Sequence, residues 1–99
     1  MKLILSKEID ERLLTRIEFL HHKRMQFSLI MNEVLRKRSP YKYDKENIDY
    51  YLEKSTETNS EFMLLTNEII SGIDKKYADS KKYQLEYDFE KGVINIYEN

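Results

Sequence analysis

Apolar positions recur along most of this chain at helical spacing, and near its end the period drops to two. From Ser6 to Arg38 there is neither Gly nor Pro. Projected at about 100° per residue, Ile9, Leu13, Ile17, Leu20, Phe27, Met31, Val34 and Leu35 fall on one side of a cylinder. That stripe predicts an amphipathic helix over about 6–38, opened by Ser6 as N-cap. Pro40 closes it, because the residue before a proline is pushed out of the helical region.

A second stripe, Ile48, Tyr51, Leu52, Phe62, Met63, Ile69, Ile70, Ile73 and Tyr77, predicts a helix over about 44–78. Glu46, Glu53, Glu57, Glu61 and Glu68 lie opposite it as an acidic outer ridge. Between them runs a polar stretch, residues 55–60, in which Thr58 and Glu61 have the spacing of a capping box. A break there is one reading. The stripe keeps its phase across the stretch, which favours a single continuous or slightly bent helix.

After Ala78, Tyr83, Leu85, Tyr87 and Phe89 alternate with Gln84, Glu86 and Asp88, the signature of a half-buried strand. Glu90, Lys91 and Gly92 fit a three-residue hairpin loop with Gly in the left-handed position. Val93 to Tyr97 is then the return strand, giving a β-hairpin over about 82–98. A lone hairpin is marginal in water, so the short β-prone opening Lys2 to Leu5 is expected to add a third strand. The expected fold is α+β, mainly α, in one domain over 1–99. A long antiparallel helical hairpin with a turn at 39–43 carries a small antiparallel sheet, in the order β-α-α-β-β.

Two such helices have one seam, and each stripe is wider than one seam needs. The leftover apolar surface predicts a homodimer in which two hairpins make a four-helix bundle. A fold-back near Thr58 into a compact three-helix monomer is the alternative.

Composition narrows the function classes. The chain has 99 residues, is 40% hydrophobic and 35% charged, and has a formal charge of −1, so no bulk electrostatic signature marks a partner. With no Cys there is no disulfide or thiolate chemistry. No apolar run is long enough to span a membrane, and the opening residues are too few for a signal-peptide core, so a cytoplasmic location is expected. Richness in Lys, Ile, Asn and Tyr beside a single Ala suggests the AT-rich genome of a low-GC bacterium, its phage or a mobile element. Two Gly residues leave almost no backbone to cradle a phosphate, and no catalytic motif is present, so no enzyme and no cofactor are expected.

Several polar residues interrupt the stripes. Arg24 sits near the centre of the first, with His21 and Ser28 at its edge, while Ser55 and Asn59 lie inside the second. Counted from the turn, these stand at matching heights, which predicts a buried polar layer of Arg24, Ser28, Ser55 and Asn59 that sets helix register. Glu18 and His21 form a Glu-x-x-His pair, as in di-iron bundles, but Glu18 points away from the core and no metal site is expected. His21 and His22 point about 100° apart on a helix and cannot chelate one ion together.

The turn concentrates Arg36, Lys37, Arg38, Lys42 and Lys45 around Tyr41 and Tyr43, a set that suits a protein contact or a nucleic-acid backbone. Tyr50 and Leu64 lie on the outer side of the second helix, and the strand Val93 to Tyr97 offers an edge that another strand could join. These features together predict a non-catalytic protein-interaction module, an adaptor, inhibitor or regulator, acting on itself and on a further protein. A nucleic-acid-binding regulator using the basic turn is the alternative.

Overall fold

The computed structural model describes the backbone of residues 1–37 and 45–99 and the side chains of residues 1–33 and 48–99. Its elements in chain order are β1 (Lys2–Glu8), α1 (Glu11–Lys37), α2 (Lys45–Ser71), a 3-10 turn (Lys75–Ala78), β2 (Tyr83–Asp88) and β3 (Val93–Glu98). The class is α+β, mainly α, with two helices and one three-stranded antiparallel sheet. The polar stretch at 55–60 does not break α2. Thr58 is accommodated mid-helix because its hydroxyl donates to the Lys54 carbonyl oxygen at 2.8 Å, four residues back.

Three boundaries depart from the sequence reading. Ser6 does not cap a helix. Ser6, Lys7 and Glu8 instead pair with Asn95, Ile94 and Val93, and the Ser6 hydroxyl donates to the Asn95 side-chain oxygen. The helix opens later, where the Asp10 carboxylate accepts the Arg12 backbone N–H at 3.0 Å and Glu11 adds charge to the first turn. At the other end α2 stops at Ser71 rather than near 78. Asp74 caps a separate 3-10 turn there by accepting the Lys76 N–H. The β2–β3 loop holds four residues rather than three. Phe89 leaves the strand, its ring stacked on Tyr87 with centroids 5.5 Å apart, while Asp88 accepts the Lys91 N–H. Gly92 does adopt the left-handed conformation, with φ at 68°.

The sheet order is β1-β3-β2. Residues Val93 to Tyr97 are thus in the central strand, hydrogen-bonded on both sides, and offer no free edge to another strand. That corrects the expectation of an accepting edge there. Its physical reason is the length of β1, which covers β3 from end to end.

The chain divides into two compact units, Met1–Glu18 with Leu64–Asn99, and Phe19–Met63. The first contains the sheet and the adjoining helix segments. Ile17, Leu65, Ile69 and Ile70 from the helices and Ile94 and Ile96 from β3 are all buried. Buried Thr66 on α2 shares a hydrogen bond of 2.7 Å with the Tyr87 hydroxyl on β2. In the second unit the segments of α1 and α2 run antiparallel. His21 meets Phe62, Arg24 meets Asn59 and Phe27 meets Tyr51, in reverse order along the two helices.

Candidate functional site

The feature of greatest chemical content lies within the second unit, along one side of its helix pair. A groove of about 480 Å³ opens there between α1 and α2. Its polar lining is Arg24, Ser28 and Asn32 from α1 with Ser55 and Asn59 from α2, and His21, Met25 and Met31 complete the wall. The spacing places these residues together for a simple reason. Arg24, Ser28 and Asn32 recur every four residues, as do Ser55 and Asn59, so each set forms one longitudinal row on its helix.

Arg24 is the best-defined side chain of the groove. Its Nε–H donates to Asn59 Oδ1 at 2.7 Å, and its guanidinium carbon lies 4.1 Å from the centre of the Phe62 ring. A hydrogen bond and a stacked aromatic face together hold the planar cation in one orientation. Phe62 is itself buried, so Arg24 rests on a firm base.

The four residues expected to form a layer, Arg24, Ser28, Ser55 and Asn59, therefore line one groove, and Arg24 and Asn59 touch. They are not buried, however. Ser28 and Asn59 are exposed and Arg24 and Ser55 are half-buried. The seam of the helix pair runs instead through Leu20, Thr58 and Phe62. Height along a helix follows directly from sequence. Burial depends on the direction in which α2 turns toward its neighbour, and that direction sits closer to Thr58 than the apolar stripe indicates.

The same rotation leaves apolar side chains beside the groove. Leu52 and Met63, both placed in the stripe by sequence, are 48% and 55% exposed. Met25 on α1, 51% exposed, lines the groove. Leu29, 67% exposed, does not line it and projects to the side of α1 away from the stripe.

The other sequence candidates fall elsewhere. Tyr50 is exposed, with its ring 5.6 Å from Tyr51 and the Lys54 ammonium 5.8 Å above it. Leu64, also exposed, belongs to the first unit. Arg38, Tyr41, Lys42 and Tyr43 lie outside the described residues. Arg36, Lys37 and Lys45 belong to the ends of α1 and α2, and their side chains lie outside the described ones as well. The basic turn consequently has no described geometry.

Among the described residues no cluster of three His, Cys, Asp or Glu side chains is placed to hold a metal ion. No described helix is long and apolar enough to cross a membrane. Among titratable groups, Tyr87 is shifted upward from its ordinary value, because burial disfavours the phenolate more than the Thr66 hydrogen bond favours it. It serves the sheet–helix core rather than the groove. Neither a protein-family model nor a curated protein nor a solved structure matches this chain.

Proposed function

We propose that this protein is a non-catalytic protein-interaction module whose docking surface is the grooved side of the helix pair. The observation that carries the reading is the exposure of Met25, Leu52 and Met63 on the grooved side, with a fixed polar pair, Arg24 and Asn59, among them. Single exposed apolar residues are ordinary on a protein surface, whereas several on one side of a helix pair mark a contact. The mixture fits the anatomy of a protein interface, with apolar anchors around an oriented Arg and neutral polar groups between them. Two Met residues in the wall add adaptable, polarisable packing. A shallow, open groove of this kind suits the side of another helix better than it suits a small substrate.

The test is site-specific photo-crosslinking in the cells that make the protein. A photoreactive residue replacing Met25 should give a discrete protein adduct, and the same residue replacing Glu57 on the opposite ridge should not. Failure of Met25 to crosslink, or equal labelling from both positions, overturns the reading.

A further inference from the structure

We infer that β2 is a pairing edge, through which two copies of this chain join their three-stranded sheets into one. The inference concerns the sheet-bearing unit alone and does not rest on the groove. In the order β1-β3-β2 the two outer strands each pair on one side only among the described residues, and one of them is protected. β1 carries a bulge between Leu3 and Leu5, and its exposed Lys7 lies opposite buried Ile94 and so on the same face. A bulge and an inward-facing lysine are two devices that keep an edge strand from adding a neighbour. β2 has neither. It pairs with β3 from Tyr83 to Asp88 without a shift and contains no proline or lysine.

The ladder fixes which backbone groups point outward. The Asn99 N–H donates to the Lys82 carbonyl oxygen, and the Ile9 N–H donates to that of Gly92. Antiparallel bonds alternate along a strand, so Gln84, Glu86 and Asp88 bond to β3. Tyr83, Leu85 and Tyr87 therefore direct their backbone groups to the open side. The Tyr83 N–H is used by the Asp79 carbonyl oxygen, whereas the Leu85 groups have no backbone partner among the described residues. Burial agrees. The side chains of Tyr83, Leu85 and Tyr87 share the face of Ile94 and Ile96, yet they are half-buried where those two are fully buried. The cover over the sheet thins toward β2.

Charge and register identify the occupant as a second β2. An antiparallel copy centred on Leu85 lets the two Leu85 residues exchange N–H and C=O bonds. On the other face it sets Lys82 opposite Asp88 of the second copy at both ends, with Gln84 opposite Glu86 between them. These are non-hydrogen-bonded positions, where facing side chains come closest. Asp88 gives one carboxylate oxygen to the Lys91 N–H and keeps the other for the lysine. Lys82 is exposed and makes no ion pair among the described residues. A centre at Glu86 would set Glu86 against itself, and a centre at Tyr87 would set Glu86 against Asp88, like charges that destabilise a pair. A centre at Gln84 would pair Leu85 with Tyr83, whose N–H is already used. One register remains, and a two-fold axis normal to the sheet closes it.

Light scattering at about 100 μM protein reads the assembly, and disulfide mapping reads the register. Twice the chain mass of 12.1 kDa is expected. Leu85→Pro removes the outward N–H without touching a bond to β3, so it should give 12.1 kDa with an unchanged circular dichroism spectrum. If that variant unfolds, cysteines at exposed Gln84 and Glu86 carry the test, since the chain has none of its own. In dimers mixed from Gln84→Cys and Glu86→Cys, the two cysteines face each other with Cα atoms about 4.5 Å apart and should crosslink under mild oxidation. Either variant alone meets its own copy diagonally, about 7 Å away, and should crosslink far more slowly. A 12.1 kDa species for the unaltered chain overturns the inference, as does a dimer that survives Leu85→Pro with its fold intact. A dimer in which no combination crosslinks removes β2 as the edge. Fastest crosslinking by Gln84→Cys alone, or by Glu86→Cys alone, overturns the stated register.

Discussion

The two units use the same pair of helices to opposite effect. In the unit that contains the sheet, Ile17, Leu65, Ile69, Ile70, Ile94 and Ile96 are buried, and four of them are at most 1% exposed. In the other, Leu20 and Phe62 are the buried apolar residues among those described. Phe19, Met25, Leu29, Ile30, Tyr50, Leu52 and Met63 there are each 36% exposed or more. The difference is one of layers. A sheet set against helices provides two faces that cover each other, whereas two helices alone share a single seam. Buried apolar surface is therefore concentrated in one stretch of the two helices and exposed apolar surface in the other.

The largest expected effect tests that division directly. Ile94→Ala, at a fully buried site of the central strand, should cost about 2–5 kcal/mol. Leu29→Ala, with its side chain mostly in solvent, should change the stability of the single chain by no more than about 0.5 kcal/mol. Chemical denaturation of both variants at low micromolar concentration gives the comparison. Equal costs at the two sites would mean that the second unit has a closed core of its own. The next effect lies in the β2–β3 loop. Gly92→Ala should cost about 1–2 kcal/mol, since φ of 68° disfavours a side chain. Its Cβ would also meet Leu14 Cδ2 at 3.1 Å, so Leu14 must give way. A loss near zero in the same denaturation series would show that the loop can change its turn.

The distinction between units was only partly legible in the sequence. Periodicity carries across Thr58 without a phase slip, so the continuity of α2 could be read. The change to period two after Ala78 likewise marked β2 and β3. The fate of Ser6 to Glu8 could not be read, because a serine before an apolar-periodic run is an acceptable N-cap. Only pairing with β3, some ninety residues away in sequence, decides for strand. The polar site was legible in its heights and illegible in its depth. Arg24 and Asn59 stand at one level whatever faces them, whereas their exposure depends on a rotation of α2 by a fraction of a turn.

Tyr87 and Thr66 sharpen the account of the sheet-bearing unit. Thr66→Val removes the hydrogen bond to Tyr87 and should cost about 1 kcal/mol. Burial holds the Tyr87 pKa above its ordinary value of 10.0, so the folded state prefers the neutral phenol. The stability this contributes is fully present below pH 10 and is lost as pH rises through the higher folded value. Melting temperatures measured between about pH 8 and 11.5 should fall less steeply for Tyr87→Phe than for the unaltered chain. Removing the Thr66 hydroxyl takes away an interaction that lowers the folded pKa, so in Thr66→Val the fall should begin at the same pH and extend to higher pH. Identical alkaline profiles in all three proteins would place Tyr87 outside the core.

The smallest effect concerns where α1 begins, and with it where the sheet-bearing unit gives way to helix. Asp10 accepts the Arg12 N–H through its carboxylate, and its carbonyl oxygen accepts the Leu14 N–H at 2.8 Å. Asp10→Ala keeps the second contact and loses the first, together with a negative charge at the positive end of the helix dipole. The expected cost is about 1 kcal/mol. Ser6→Ala removes an exposed side-chain hydrogen bond within the sheet, worth a few tenths of a kcal/mol, and leaves the start of α1 untouched. Amide hydrogen exchange distinguishes the two changes by place as well as by size. Asp10→Ala should speed exchange at Arg12 and Leu13, and Ser6→Ala should not. Faster exchange at those amides in Ser6→Ala would return the helix start to Ser6 and shorten β1 to the few residues its local sequence supports.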